Sequence, residues 1–242
     1  MFNGKMKAIT FSYDDGVTQD RRLVEIFNKY GLKATFNINS ELLGKSGSLN
    51  SLIIRGKVID HNKIEPEEVG TLYVGHEVAV HTLTHPNLTK IEDDAEVIRQ
   101  VEEDRKNLSR LAGYEVIGMA YPCGGVNSDE RVAKLIRENT GVKYARNITE
   151  RRDIEPYTDL YLYKPSYYHA PGIESDWQRF VKACRDFVEM TPDSPKVLYI
   201  WGHSYELDEV PGRWEEFEQL CAYLSGREDI FYGTNKEILL GE

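Results

Sequence analysis

The chain has 242 residues, 40% of them hydrophobic and 29% charged, the composition of a globular protein long enough to bury a sizeable core. A formal net charge of -10 argues against a nucleic-acid binder, which needs a concentrated basic surface, and against adhesion to anionic membranes. No segment reaches the roughly 18 apolar residues of a membrane span, and the three scattered cysteines, Cys123, Cys184 and Cys221, form neither a disulfide framework nor a thiolate zinc site.

Along the chain, "KAITFSY" reads as a first strand, with no apolar run of signal-peptide length before it, which gives the expectation of a cytoplasmic protein. "QDRRLVEIFNKYG" follows as a helix with Leu23, Ile26, Phe27 and Tyr30 on one face and Gly31 as its stop. "KATFNIN" is a second strand. Residues 40–64 then interrupt the alternation and are expected to form an excursion on the rim. A short acidic helix near "EPEEVGTLY" precedes a third strand, "EVAVH". Thr89 with Glu92 has the spacing of a capping box and predicts a long helix to about Leu111.

"VIGMAY" is a fourth strand, Ser128 the expected cap of the next helix, and "VKYAR" a fifth strand. Residues 150–172, with prolines and many tyrosines, read as a long loop holding at most one strand. A helix from Ser175, the strand "KVLYIW", a helix from Arg213 and the strand "IFYGT" complete the chain. Strands alternating with helices imply a parallel sheet covered by helices, and about seven such units favour a closed or nearly closed barrel. No G-x-G-x-x-G follows the first strand, so nothing marks a dinucleotide fold. The whole of 1–242 is expected to be one domain.

In such a barrel the chemistry sits at the C-terminal ends of the strands. Four strands here end in reactive residues: Asp14 and Asp15 after the first, His81 and His85 after the third, "YPCGG" after the fourth and His203 after the seventh, "KVLYIW". Two like charges side by side raise a question of compensation, beyond the ordinary role of Asp-Gly in a turn. Two imidazoles and one carboxylate make a three-ligand site for a divalent metal, most simply Zn2+, with Co2+, Ni2+ or Mn2+ as alternatives. One aspartate then serves as ligand while its neighbour stays free as a base.

Taken together, "TFSYDDG", "HTLTH", "YPCGG" and "LYIWGH" resemble the polysaccharide deacetylases, the NodB-homology domain of carbohydrate esterase family four. The resemblance runs from Thr10 to His203. It implies a deformed (β/α)7 barrel and a metal-dependent hydrolase that removes acetyl groups from N-acetylated or O-acetylated carbohydrate. By position it implies Asp14 as catalytic base, Asp15, His81 and His85 as metal ligands, and His203 as general acid. Leu198 would wall the pocket for the acetyl methyl. Tyr121, Pro122 and Cys123 would line the substrate, with the Cys123 N–H as oxyanion donor.

Two departures stand out. The family's R-x-P-x-G motif has Ala120 in place of arginine, and Arg146, at the end of the fifth strand, is the expected substitute cation for Asp14. The usual Asp-Trp motif has only Asp176 and Trp177 to offer, at a helix start where cap and packing roles are expected, and His169 reads as a loop residue. Tyr167, Tyr168, Trp201 and Tyr205 are aromatic candidates for stacking on sugar rings. Two other readings fit the same motifs: a hydrolase of a small non-peptide amide, and a catalytically weak carbohydrate-binding relative.

Overall fold

A strand buried on both faces needs a partner on each edge and a covering layer on each side. The first strand, β1 (Lys7–Asp14), meets this demand completely, and the fold is built around it. The computed structural model describes residues 2–46 and 51–241. β1 pairs in parallel with β2 (Ala34–Ile38) on one side and with β9 (Lys196–Gly202) on the other, and β10 (Ile230–Tyr232) takes the lower part of the β2 edge. Beyond β2 come β5 (Glu77–Val80), β6 (Gly118–Ala120) and β7 (Tyr144–Arg146), and beyond β9 comes β8 (Tyr167–Tyr168).

The sheet curls until its edges nearly meet. Tyr163 bridges to Arg146 of β7, exchanging hydrogen bonds with Ala145 and Asn147, and Ser166 bonds Tyr199 of β9. The irregular stretch 160–168 therefore spans the last gap. Among the described residues seven strands circle the barrel, with β10 as an eighth sharing the β2 edge, and the weak closure at this point is its deformation. What reads in sequence as a loop with at most one strand is the seam.

Period-two alternation sorts the side chains of β1. Ile9, Phe11 and Tyr13 face the helices and join the main apolar cluster, while Thr10, Ser12 and Asp14 are buried on the lumen side. The lumen is accordingly polar. Asn235 Nδ2 donates to Thr10 Oγ1 (2.8 Å), Thr35 Oγ1 and Tyr144 Oη donate to Glu77 (both 2.8 Å), and Asn37 Nδ2 donates to Ser12 Oγ (2.9 Å).

Helices α1 (Asp20–Tyr30), α2 (Val69–Leu72), α3 (Asp94–Ala112), α4 (Glu130–Asn139), α5 (Glu174–Glu189), α6 (Arg213–Leu224) and α7 (Asn235–Leu239) complete the alternation. α1 buries Leu23, Val24, Ile26 and Phe27 and ends at Gly31, whose φ of 65° closes the last turn. Two starts differ from the sequence expectation. α3 is capped by Asp93, accepting from Ala95 N, because Asn87 gathers Thr89 into a separate 3-10 turn, Leu88–Lys90. α4 is capped by Asp129, not Ser128, through the N–H of Val132. No helix among the described residues is long and apolar enough to cross a membrane.

The insertion at 40–64, of which residues 47–50 lie outside the described residues, is an antiparallel hairpin of β3 (Ser51–Ile54) and β4 (Lys57–Asp60). Its inner residues Leu52, Ile54 and Ile59 pack on Val17 and Tyr205. Its return limb runs antiparallel to the segment after β1: Thr18 N donates to Asn62 O (2.9 Å) and Ile64 N to Gly16 O (3.1 Å). This limb is stitched to the centre of the rim, so the insertion also forms part of the site's frame.

Phe27 is fully buried, with its ring 4.7 Å from Phe11 and 6.1 Å from Phe217. Phe27→Ala is expected to remove about 3–5 kcal/mol of stability through lost burial and a residual cavity. Urea unfolding checks this, with the midpoint falling and the slope unchanged.

Candidate active site

A cavity of about 250 Å³ opens at the C-terminal rim, and its walls include Asp14, Asp15, His81, His85, Cys123 and His203. Asp14 is the last residue of β1, His81 follows β5, and His203 follows β9. Strand ends thus deliver most of these groups. Four non-glycine residues here have left-handed backbone: Asp15 (φ 86°), Thr82 (70°), His85 (64°) and Cys123 (70°). Such conformations cost of order 1–3 kcal/mol each and persist only where their surroundings impose them.

Asp15, His81 and His85 bring one ligand atom each to within 4.8 Å of one another. Asp15 Oδ1 lies 3.7 Å from His81 Nε2 and 3.5 Å from His85 Nε2. Ligands roughly 2.0–2.2 Å from a tetrahedral ion are separated by only slightly less than this. His81 Nδ1 donates to the Ala120 carbonyl (2.8 Å), which leaves the Nε2 lone pair facing the cluster. Burial lowers both imidazoles, His81 to about 4, so each is neutral at pH 7. Burial would raise the Asp15 carboxyl, but Lys63 and the hydrogen bond from His61 hold it well below the usual range. An ionised carboxylate and two neutral imidazoles are the donor set that a divalent cation needs, and the residues fit the group.

Asp14 stands outside this cluster. Its Oδ1 accepts from Asn37 Nδ2 (2.8 Å) and from Arg146 Nη2. Arg146 is wholly buried, donates through Nε to Ser12 Oγ (3.2 Å), and lies 4.9 Å over the Trp201 ring. In register it faces Ala120 across the β6–β7 pair. The guanidinium therefore comes from the neighbouring strand at the level of the missing arginine. It reaches Asp14 through one nitrogen, not through the two parallel hydrogen bonds that a guanidinium can give a carboxylate.

Behind His203 lies a group the sequence reading passed over. Glu206 Oε2 is 3.3 Å from His203 Nδ1, an ion-pair contact, and accepts from the His203 backbone N–H (3.2 Å). His169 Nε2 donates to the same oxygen (3.0 Å), Tyr168 Oη donates to Oε1, and Tyr13 Oη lies 3.3 Å from His169 Nδ1. Burial by itself lowers His203, but the Glu206 carboxylate more than reverses this and raises it to about 9, with Asp15 and Asp14 adding to the effect. His169 lies in the loop after β8, as its sequence suggests, but is fully buried behind the site. The available signal was the spacing His203–Glu206, which is that of a residue capping its own 3-10 turn.

The remaining candidates divide. Tyr121, Cys123, Trp201 and Tyr205 line the cavity. Leu198 does not: it has the parity of Ile200, faces the helices and belongs to the apolar core, while Trp201 and Ile148 occupy the wall. Pro122 is buried beside the cavity without lining it. Tyr168 packs on Trp201 at 4.7 Å, whereas Tyr167 lines a separate surface cavity. Asp176 pairs with Arg179, and Trp177 is core under Arg213, so neither reaches the site.

A parallel barrel of seven strands with an Asp-Asp pair, His-x-x-x-His and a further histidine on one rim is a barrel of the NodB-homology type, the fold of family 4 carbohydrate esterases. The chain belongs to the polysaccharide deacetylase family, whose profile matches residues 3–145. Among solved structures it is similar to the Bc1960 peptidoglycan N-acetylglucosamine deacetylase, with 17% identity over 98% of this chain and 89% of that one and a TM-score of 0.59. The family 4 carbohydrate esterase from Streptomyces lividans gives 13% identity, coverage of 95% and 92%, and a TM-score of 0.56. A family 4 pseudoenzyme from Bacillus anthracis gives 14%, 97% and 66%, and 0.55. No curated protein matches the sequence.

Gly202 has no Cβ where one would lie 2.1 Å from the His169 ring. Gly202→Ala is expected to destabilise the fold by roughly 1–3 kcal/mol through overpacking. The double variant Gly202→Ala with His169→Ala clears the ring and should recover part of the loss. Urea midpoints of the two variants decide this, and equal midpoints would show that the ring does not confine position 202.

Proposed function

We propose that this chain is a metal-dependent deacetylase of N-acetylated carbohydrate, with residues 1–242 acting as one catalytic unit. The observation that carries the proposal is the division of labour at the rim. Asp15 faces two imidazoles, Asp14 is held apart by Arg146, and His203, paired with Glu206, stands across the same small cavity. Asp15, His81 and His85 would hold a divalent ion, Zn2+ by the chemistry of its donors and Co2+, Ni2+ or Mn2+ by substitution, which would polarise the acetyl carbonyl as a Lewis acid.

The chain's own residues do the rest. Asp14 takes the proton of the attacking water, and Arg146 with Asn37 holds its Oδ1 so that the other oxygen is presented to the cavity. His203 gives a proton to the leaving nitrogen, because an amide anion leaves too poorly unaided. Glu206 keeps that imidazole charged and oriented. The Cys123 N–H is the proposed oxyanion donor. Trp201, Tyr121 and Ile148 form the wall against which the acetyl methyl packs. A structurally similar protein acting on peptidoglycan N-acetylglucosamine supports a glycan substrate.

Acetate release from N-acetylglucosamine oligomers, with and without chelator, tests the assignment. Asp14→Asn is expected to keep the metal and lose roughly 10²- to 10⁴-fold in turnover. Loss of the metal in that variant would instead make Asp14 a ligand. Release only from small N-acetyl amides would move the same chemistry to a different substrate class.

The pH profile gives a second check. A general acid must be protonated, so turnover falls as pH rises through the His203 pKa, which Glu206 raises. Glu206→Gln is expected to move the alkaline limb of kcat to lower pH, and an unmoved limb would remove His203 as the acid.

A further inference from the structure

The hairpin insertion sends two side chains to Asp15 that belong to none of the site's motifs. His61 follows β4, and its Nε2 lies 3.1 Å from Asp15 Oδ2. An ionised carboxylate only accepts, so the His61 Nε2–H is the donor. The His61 ring stands edge-on to Tyr205, 4.8 Å between centroids at 90°, which fixes its direction. Lys63, nearly excluded from water, donates from Nζ to the Asp15 carbonyl (2.8 Å) and lies 3.9 Å from Oδ1. The antiparallel bonds between 16–18 and 62–64 hold the backbone that follows Asp15.

The two oxygens of Asp15 therefore have different neighbours. Oδ1 faces His81 and His85, at 3.7 and 3.5 Å, while Oδ2 is occupied by His61. Carboxylates bind cations through one oxygen or through both, and a hydrogen bond to one oxygen settles the choice. We propose that His61 is a positioning residue that restricts Asp15 to one-oxygen coordination, with Lys63 holding the Asp15 backbone in place. Binding through a single oxygen leaves one more coordination position for water and the acetyl group. This inference rests on the metal centre proposed above, and it gives the insertion a role in assembling that centre.

Cobalt(II) tests it, because its visible absorption reports coordination number and its titration reports affinity. Wild-type protein, His61→Leu and His61→Gln are freed of metal, titrated with CoCl2 and melted in the metal-free state. His61→Leu is expected to bind Co2+ roughly 10- to 100-fold more weakly, with the weaker absorption of a higher coordination number. His61→Gln, which keeps an N–H donor, should recover most of the affinity and the wild-type bands. Where the leucine variant fails to fold, His61→Asn, whose amide is too short to reach Oδ2, supplies the same comparison. Wild-type binding together with unchanged affinity and spectrum in the donor-less variant overturns the clamp alone. A wild-type protein that binds no Co2+ overturns the metal centre itself and the clamp with it.

Discussion

Two carboxylates on consecutive residues, Asp14 and Asp15, are 2% and 5% exposed, and like charges buried side by side each need a partner of opposite sign. The rim is arranged around that requirement. The left-handed turn at Asp15 sends the second carboxylate away from the first, so that the two meet different partners. Asp14 looks into the lumen and meets Arg146. Asp15 looks across the rim and meets Lys63, His61 and the two imidazoles. Each compensating cation must in turn be satisfied. Arg146 uses Ser12, the Asn147 carbonyl and the Trp201 ring, and Lys63 uses the Asp15 carbonyl and the paired return limb. The polar lumen and the insertion are both answers to the same electrostatic demand.

The opposite wall repeats the arrangement with the signs exchanged. A buried carboxylate, Glu206, is surrounded by four groups from three residues: the Tyr168 hydroxyl, the His169 ring and the His203 backbone N–H and ring. Burial would raise this carboxyl, but His203 and His169 hold it far below the usual range. The raised pKa of His203 thus depends first on Glu206, which does not line the cavity, and Gly202 leaves the room for His169, a partner of that carboxylate. One wall of the cavity separates two negative charges, and the other maintains a positive one.

The features legible in sequence were those written in local pattern. Apolar strands, amphipathic helices and strand-end clusters identified the barrel, and Asp14, Asp15, His81, His85 and His203 stand on one rim. Arg146 was legible because topology places β7 beside β6, although the register that sets it opposite Ala120 was not. Other features depend on distances along the chain that no local pattern records. Glu206 and His169 are 37 residues apart and meet only because β8 lies against β9. His61 is 46 residues from Asp15, in a segment whose polar composition looks like any surface hairpin. Leu198 shows a different limit: a motif match places a residue on a strand, but strand parity decides which side it faces.

β1 is the hub of the sheet, yet two of its three partners, β9 and β10, come from the last fifth of the chain. A ribosome makes β1 first and β9 nearly last. Until residues 196–202 emerge, the nascent chain carries a long buried-type strand with one edge unpaired and its lumen carboxylate without Arg146 for most of that time. Unpaired edges of this kind are where partly made proteins adhere to one another. The order of synthesis therefore makes the C-terminal fifth a guard on solubility during translation as well as the carrier of His203.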